Sequence, residues 1–230
     1  MLAADWLPGV AAPMPSEIIL LTGRREAPHL FEFLQRCNPQ AELHYCGTAE
    51  QLEAAARPGA LLLAFLTSVI VPGRILERLG RPAYNFHPGP PTCPGRYPES
   101  FAAYRGETRF GATAHVMVRR VDEGEIVGVE WAEAPPGAGQ MQLAEIGYGA
   151  AVRLFGRLAP RLATDDAPLP GIGVAWSGRK TTAAEYDALC EITPDIDPEE
   201  FLRRMRGFGE NPATPLYLNL HGCRFVMEQP

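Results

Sequence analysis

The first half of the chain alternates between short, mainly apolar runs and stretches with helical features. Runs of this kind are typical of strands buried in a parallel sheet, and they occupy residues 17–21, 42–46, 60–65 and 82–86. Helices are predicted between them, over residues 25–37, 48–56 and 72–79. Alternating strands and helices predict a right-handed α/β sheet, whose ligands bind at the carboxyl ends of the strands.

The pattern changes after residue 99, where a short helix over 99–106 precedes two predicted strands. Residues 111–121 and 125–133 flank Asp122-Glu123-Gly124, a turn sequence, so we expect a β-hairpin there. Residues 140–163 follow with apolar positions at helical spacing. The predicted apolar face of this long helix consists of Met141, Leu143, Ile146, Val152, Leu154, Leu158 and Leu162.

These elements divide the chain into a lead-in (1–15), one α/β domain (16–164), and a linker with a small C-terminal subdomain (165–230). The linker proper spans residues 165–171. A helix is predicted to begin at Asp197-Pro198, and a closing hairpin over residues 216–227. The expected fold is therefore Rossmann-like, with a mostly parallel twisted sheet, flanking helices and a helix–hairpin tail.

Composition narrows the class of protein. A formal net charge of -6 disfavours a large nucleic-acid surface, and no run is long and apolar enough to span a bilayer. The first residues lack a basic start and include Asp5, unlike a signal peptide. The scattered cysteines form no C-x-x-C pair, which indicates reduced thiols, without disulfides or a zinc cluster. We therefore expect a cytoplasmic protein without membrane or nucleic-acid partners.

Polar side chains follow the fourth predicted strand, where a site is expected. Asn85 and His87 are two residues apart and so point to one face. An amide and a protonated imidazole can both donate to an oxyanion, and a nearby carboxylate would keep the imidazole cationic. Asp122 is the candidate carboxylate. Each residue also has a structural interpretation in a cap, loop or turn, and His115 is expected in the core or in a supporting position.

The ordered motifs resemble one enzyme family. Asn85-Phe86-His87-Pro88, Gly95, Gly111-Ala112-Thr113 and Asp122-Glu123-Gly124-Glu125-Ile126 follow the pattern of enzymes that use 10-formyltetrahydrofolate. This family includes glycinamide ribonucleotide transformylase, methionyl-tRNA formyltransferase, the sugar N-formyltransferases and the formyltetrahydrofolate deformylases. The resemblance covers roughly residues 60–160. It implies the formyltransferase fold, 10-formyltetrahydrofolate as co-substrate, and Asn85, His87 and Asp122 as the catalytic residues.

The resemblance also implies two binding regions and no metal. The pterin of the folate would lie against backbone groups of Leu66, Thr67, Ser68, Val69, Ile70, Val71, Val121, Glu123 and Gly124. The loop after His87 would face the amine, with Pro90, Cys93, Arg96 and Tyr97 as the candidate contacts. Formyl transfer requires no nucleophilic cysteine, and the spacing of His87, Cys93, His115 and Asp122 matches no zinc signature.

Departures from the family pattern bear on the acceptor. The chain has HPGPPTCPGR where the family usually has H-P-S-L-L-P-x-Y-R-G, and Thr22-Gly23-Arg24 replaces a glycine-rich phosphate loop. The tail is too short for the second domain of methionyl-tRNA formyltransferase. We therefore expect a small-molecule amine acceptor, an amino sugar or nucleotide-linked amino sugar. The alternatives are a formyltetrahydrofolate hydrolase and a non-catalytic folate- or sugar-binding homologue. A homodimer is compatible with all three functions.

Overall fold

A six-stranded sheet forms the centre of the protein in the computed structural model, which describes residues 14–227. Its strands are β1 (Glu17–Leu21), β2 (Glu42–Cys46), β3 (Leu61–Phe65), β4 (Tyr84–His87), β5 (Arg109–Val116) and β6 (Ile126–Glu133). The spatial order is β2-β1-β3-β4-β5-β6. The first four strands are parallel, and β5 and β6 add an antiparallel pair. The expectation of a mostly parallel α/β sheet is confirmed.

Helices cover both faces of this sheet. They are α1 (Ala27–Cys37), α2 (Ala49–Ala55), α3 (Gly73–Leu79), α4 (Pro98–Arg105) and α5 (Gln140–Thr164). Alternate residues of β1 enter different cores: Ile18 and Leu20 pack with residues of α1 and α5, whereas Ile19 and Leu21 pack with residues of α2 and α3. Because both faces are covered, β1 is a continuous apolar run and not an alternating one.

The tail folds onto α4. It consists of α6 (Ala183–Cys190), β7 (Glu191–Ile192), α7 (Pro198–Phe208), β8 (Tyr217–Leu220) and β9 (Cys223–Val226). An aromatic cluster joins Phe101 of α4 to Tyr186 and Phe208. The predicted helix start is confirmed, since the Asp197 carboxylate accepts hydrogen bonds from two backbone N–H groups of the first turn. No helix within residues 14–227 has both the length and the apolar character needed to cross a membrane.

Two predictions about the second half were wrong. The strand expected over 111–121 ends at Val116, because its partner β4 begins at the opposite residue, Tyr84. One further hydrogen bond extends the pairing, from the Met117 N–H to the carbonyl of Ala83 at 2.7 Å. Residues 117–125 therefore form a longer connection that contains the expected turn. On α5, Met141 and Val152 are 53% and 43% exposed. The buried face instead uses small residues such as Gly147 and Ala150, which let the helix approach the sheet closely.

The aromatic cluster predicts how strongly the tail contributes to stability. Phe208 is fully buried, so Phe208→Ala should lower the free energy of unfolding by about 3–5 kcal/mol. Leu202→Ala on the same helix is the matched control: its side chain is 65% exposed, and the expected change is within about 0.5 kcal/mol. Urea denaturation measures both. Equal midpoints for Phe208→Ala and the unmodified protein would contradict the role given to the cluster.

Candidate active site

Strand β4 carries the first two candidate residues to the edge of a cavity. Asn85 lies opposite His115 in the register with β5, and His87 lies opposite Thr113. The cavity has a volume of about 300 Å³ and opens at the carboxyl ends of β3 and β4. Asn85, His87, His115 and Asp122 all contribute to its wall. The structure therefore brings these four side chains together on the wall of one cavity.

His87 is buried, and its two ring nitrogens have different surroundings. Nε2 lies 3.0 Å from the carbonyl oxygen of Cys93. A carbonyl can only accept, so Nε2 carries a proton, and Nδ1 is the nitrogen that titrates. Nδ1 lies 3.8 Å from Oδ2 of Asp122. Burial lowers the pKa of His87, and the Asp122 charge offsets this only in part. The resting imidazole is therefore neutral at pH 7, contrary to the expectation of a cation.

Asp122 is an ionised carboxylate held inside the protein. Its Oδ2 accepts a hydrogen bond of 2.8 Å from the Gly95 N–H, and its Oδ1 lies 3.3 Å from Nε2 of His115. Burial alone would raise the pKa of Asp122. The contact with His115, the charges of His87 and His115, and the Gly95 N–H together lower it to about 2. The group is negatively charged at any physiological pH.

The backbone of Asp122 also adopts an uncommon conformation. Its φ of 51° lies in the left-handed region, which costs a non-glycine residue about 1–3 kcal/mol but is tolerated better by Asp. Two residues later, a side chain on Gly124 would place its Cβ 1.7 Å from the carbonyl oxygen of Val116. The glycine of the D-x-G motif is therefore required by close backbone approach, and it lets the carboxylate turn inward.

His115 belongs to the site in the supporting position that its alternation along β5 allowed. Its Nδ1 donates to the carbonyl oxygen of Val116 at 3.0 Å. Nε2 is then free to accept from the Asn85 side-chain amide, at 3.1 Å. This contact points the Asn85 NH₂ group in a fixed direction and leaves its second N–H available for a ligand oxygen.

Residues 176–182, called the roof segment below, cover one side of the site. The Trp176 ring meets the rings of His87 and His115 at nearly right angles, with centroids 5.8 and 5.1 Å apart. Lys180 and Thr181 line the cavity. No sequence motif marks this segment, because its partners lie more than 50 positions away in the chain. The indole of Trp176 was an available signal, since Trp combines a large apolar ring with an N–H that usually finds a hydrogen-bond partner when buried.

The predicted binding residues divide into two groups. Thr67, Ser68, Val69, Ile70, Val71, Val121 and Arg96 line the cavity. Among the described residues, the following predicted contacts are not on its wall: Leu66, Pro90, Cys93, Tyr97, Glu123 and Gly124. Leu66 packs against the core. Glu123 and Gly124 line a second, separate pocket together with Trp176.

The loop after His87, residues 89–98, is called the acceptor loop below. Three of its four predicted contacts, Pro90, Cys93 and Tyr97, are occupied elsewhere in the structure. Pro90 is buried, and its carbonyl accepts from the Cys93 N–H at 2.9 Å, which closes a tight turn. Cys93 enters an apolar cluster, and burial raises the pKa of its thiol. Tyr97 stacks on Tyr186 of the tail, with ring centroids 4.1 Å apart. Of the four predicted residues, Arg96 lines the cavity. The other three pack within the loop, in an apolar cluster or against the tail.

The fold has counterparts among solved structures, although no family model and no curated protein matches the sequence. A sugar N-formyltransferase from Shewanella sp is 14% identical, with a TM-score of 0.78 over 93% of this chain and 96% of that one. The chain has the formyltransferase fold. A 4-N formyltransferase from Francisella tularensis shares this fold at 17% identity, with a TM-score of 0.71 over 94% of this chain and 98% of that one.

A third structure with the formyltransferase fold contains ligands. It is the N-formyltransferase from Helicobacter canadensis, in complex with folinic acid and dTDP-3-aminofucose. It is 12% identical to this chain, with a TM-score of 0.66 over 91% of this chain and 85% of that one. At such identities the comparisons establish the fold, and the chemistry must be argued from the site.

The ionised Asp122 predicts a pH-dependent stability. The pKa of Asp122 in the folded protein, about 2, lies below the ordinary value of 3.8. The ionised carboxylate therefore stabilises the folded state fully when the pH is well above 3.8. This contribution, about 2 kcal/mol, is lost as the pH falls toward 2, and about 1 kcal/mol of it should be gone at pH 3.

The measurement compares the unmodified protein with Asp122→Asn by urea denaturation between pH 7 and pH 3. Asn tolerates the same backbone conformation, so the two proteins differ mainly in charge. The gap in unfolding free energy should narrow by about 1 kcal/mol over this range. A gap that stays constant with pH would show that Asp122 is not held as an ion.

Proposed function

We propose that the protein is an N-formyltransferase that moves the formyl group of 10-formyltetrahydrofolate to the primary amine of a small amino sugar. The observation that carries this proposal is the buried cluster of Asn85, His87 and Asp122 on the wall of a cavity, on a formyltransferase fold. The neighbour from Helicobacter canadensis binds folinic acid and an aminosugar nucleotide, which supports a formyl folate as donor and a sugar amine as acceptor.

The donor side of the cavity suits a pterin. Residues 67–71 form a loop without regular secondary structure along one wall. A loop of this kind can present backbone N–H and C=O groups to the amide-like edge of the ring, while Val69 and Val71 supply apolar contact. The volume of about 300 Å³ lies at the lower end of the range for small-molecule pockets. The pterin and formyl group would occupy it, with the remainder of the folate extending outward.

The site can perform formyl transfer in two steps. The neutral amine attacks the formyl carbon, and the carbonyl electrons move to oxygen, where the free N–H of Asn85 stabilises the oxyanion. Nδ1 of His87 accepts the proton that the amine loses, and the Asp122 carboxylate stabilises the resulting imidazolium. The bond from carbon to N10 of the folate then breaks as N10 takes up that proton. A base that rests neutral at pH 7 fits this order of events better than a cation.

The cavity wall also carries positive charge. Arg96 and Arg120 lie on the cavity wall, although Arg120 also pairs with Glu123. A rim of this sign complements a phosphate-bearing acceptor, so a nucleotide-linked amino sugar is the preferred form of the substrate. The overall charge of -6 disfavours a polyanion such as tRNA.

Removal of either strand residue should impair turnover without unfolding the protein. We expect His87→Ala and Asn85→Ala each to lower kcat by about 100-fold or more, because each removes a proton acceptor or an oxyanion donor. The exposed His29→Ala is the matched control and should retain full activity. Calorimetry with 5-formyltetrahydrofolate should give similar affinities for all variants, and loss of binding in His87→Ala would indicate a role in affinity instead of chemistry.

The identity of the second substrate decides between transfer and hydrolysis. We expect tetrahydrofolate release to require an amine and to be fastest with nucleotide-linked amino sugars, followed by free amino sugars. The rate should rise with pH as the acceptor loses its proton, since His87 is already neutral at pH 7. The assay compares these amines with ornithine derivatives and charged methionyl-tRNA. Release that is equally fast without any amine would identify a hydrolase, and formylation of the tRNA alone would overturn the sugar assignment.

A further inference from the structure

The roof segment contacts the Asp122 turn on both sides of the carboxylate. Nζ of Lys180 donates to the carbonyl oxygen of Val121 and to Oε1 of Glu123, at 2.8 Å for the latter. Val121 and Glu123 are the two chain neighbours of Asp122. Four residues before Lys180, the indole N–H of Trp176 donates to the carbonyl oxygen of Gly124 at 2.9 Å. The roof segment therefore binds every neighbour of Asp122 in the turn 121–124.

The same segment also fixes the group that Asp122 binds. Thr181 forms a short bridge with the acceptor loop: the Arg96 N–H donates to its carbonyl at 3.0 Å, and its own N–H donates to the carbonyl of Pro94 at 3.1 Å. Between these two contacts lies Gly95, whose N–H donates to Asp122. A Cβ on Gly95 would lie 2.3 Å from the Thr181 carbonyl oxygen, so the approach requires glycine.

We propose that Lys180 is a positioning residue that holds the turn 121–124 so that the Asp122 carboxylate stays against His87, His115 and the Gly95 N–H. The turn needs such support because Asp122 adopts the left-handed conformation. Lys180 reaches no reacting atom in this role and acts through Asp122. The inference rests on the proposed function for its kinetic test and on the geometry alone for its structural test.

The magnitudes separate this role from a purely structural one. The side chains of Lys180 and Glu123 are 36% and 41% exposed, and ion pairs with that exposure contribute little to stability. Displacement of a catalytic group by about 1 Å, in contrast, can reduce turnover by about 100-fold. Loss of Lys180 should therefore affect kcat far more than the melting temperature. Because Lys180 also lines the cavity, direct substrate binding is the competing role, and it would raise KM instead.

The kinetic experiment compares Lys180→Met, Lys180→Arg and the control Arg179→Met. Arg179 is adjacent and 79% exposed, and it pairs with Glu185 away from the turn. We expect Lys180→Met to lower kcat by about 10- to 100-fold, with both KM values within about threefold and the melting temperature within about 3 °C. Lys180→Arg should restore most of the turnover, since a guanidinium can also donate to both oxygens. Arg179→Met should match the unmodified protein.

The structural experiment needs no activity. Amide hydrogen exchange at Gly95 reports directly on the hydrogen bond to Asp122. Lys180→Met should accelerate it by about tenfold or more if the bond opens more often, whereas Arg179→Met should leave it unchanged. A raised KM with unchanged kcat, or unchanged Gly95 exchange in Lys180→Met, would overturn the proposal. If the unmodified protein transfers no formyl group, the proposed function fails, and the exchange result alone decides the role of Lys180.

Discussion

The site depends on the burial of one negative charge. A carboxylate as enclosed as that of Asp122, only 3% exposed, is tolerable only with close partners. The Gly95 N–H, in the loop between β4 and α4, donates a hydrogen bond to it, and the rings of His87 on β4 and His115 on β5 lie within 4 Å of it. Their placement requires the sheet order and the tight loop geometry. The requirement to solvate this charge internally thus explains why strands, acceptor loop and turn meet at one point.

The charge also sets the protonation of its surroundings. Burial lowers the pKa of His87, and the negative charge of Asp122 offsets this lowering only in part. The result is an imidazole that is unprotonated at rest and can accept a proton transiently. His115 contributes differently, because its Nδ1 is committed to a backbone carbonyl and its Nε2 orients Asn85. One histidine can therefore exchange a proton while the other fixes an amide.

The sequence predicts the sheet well because β1 and β3 are buried on both faces and must be apolar throughout. It also locates Asn85, His87 and Asp122, since a strand end and a D-x-G turn leave local signatures. It does not predict α6, which buries only Tyr186 and Cys190 and so lacks a clear apolar face. The sequence also predicts Tyr97 and Cys93 on the cavity wall, where the structure does not place them. Nothing in the sequence of the loop itself indicates that a distant part of the chain will bury it.

The bridge between Thr181 and the acceptor loop joins residues 85 or more positions apart in the chain. Closing a loop of that length carries an entropic cost that local contacts cannot offset early in folding. The strands and their buried core can form without it, but the pocket cannot take its final shape until residues 176–182 have docked. During synthesis, the cavity would therefore be complete only after these residues have left the ribosome. A nascent chain that already contains Asn85, His87 and Asp122 would still lack the part of the cavity wall that Lys180 and Thr181 supply.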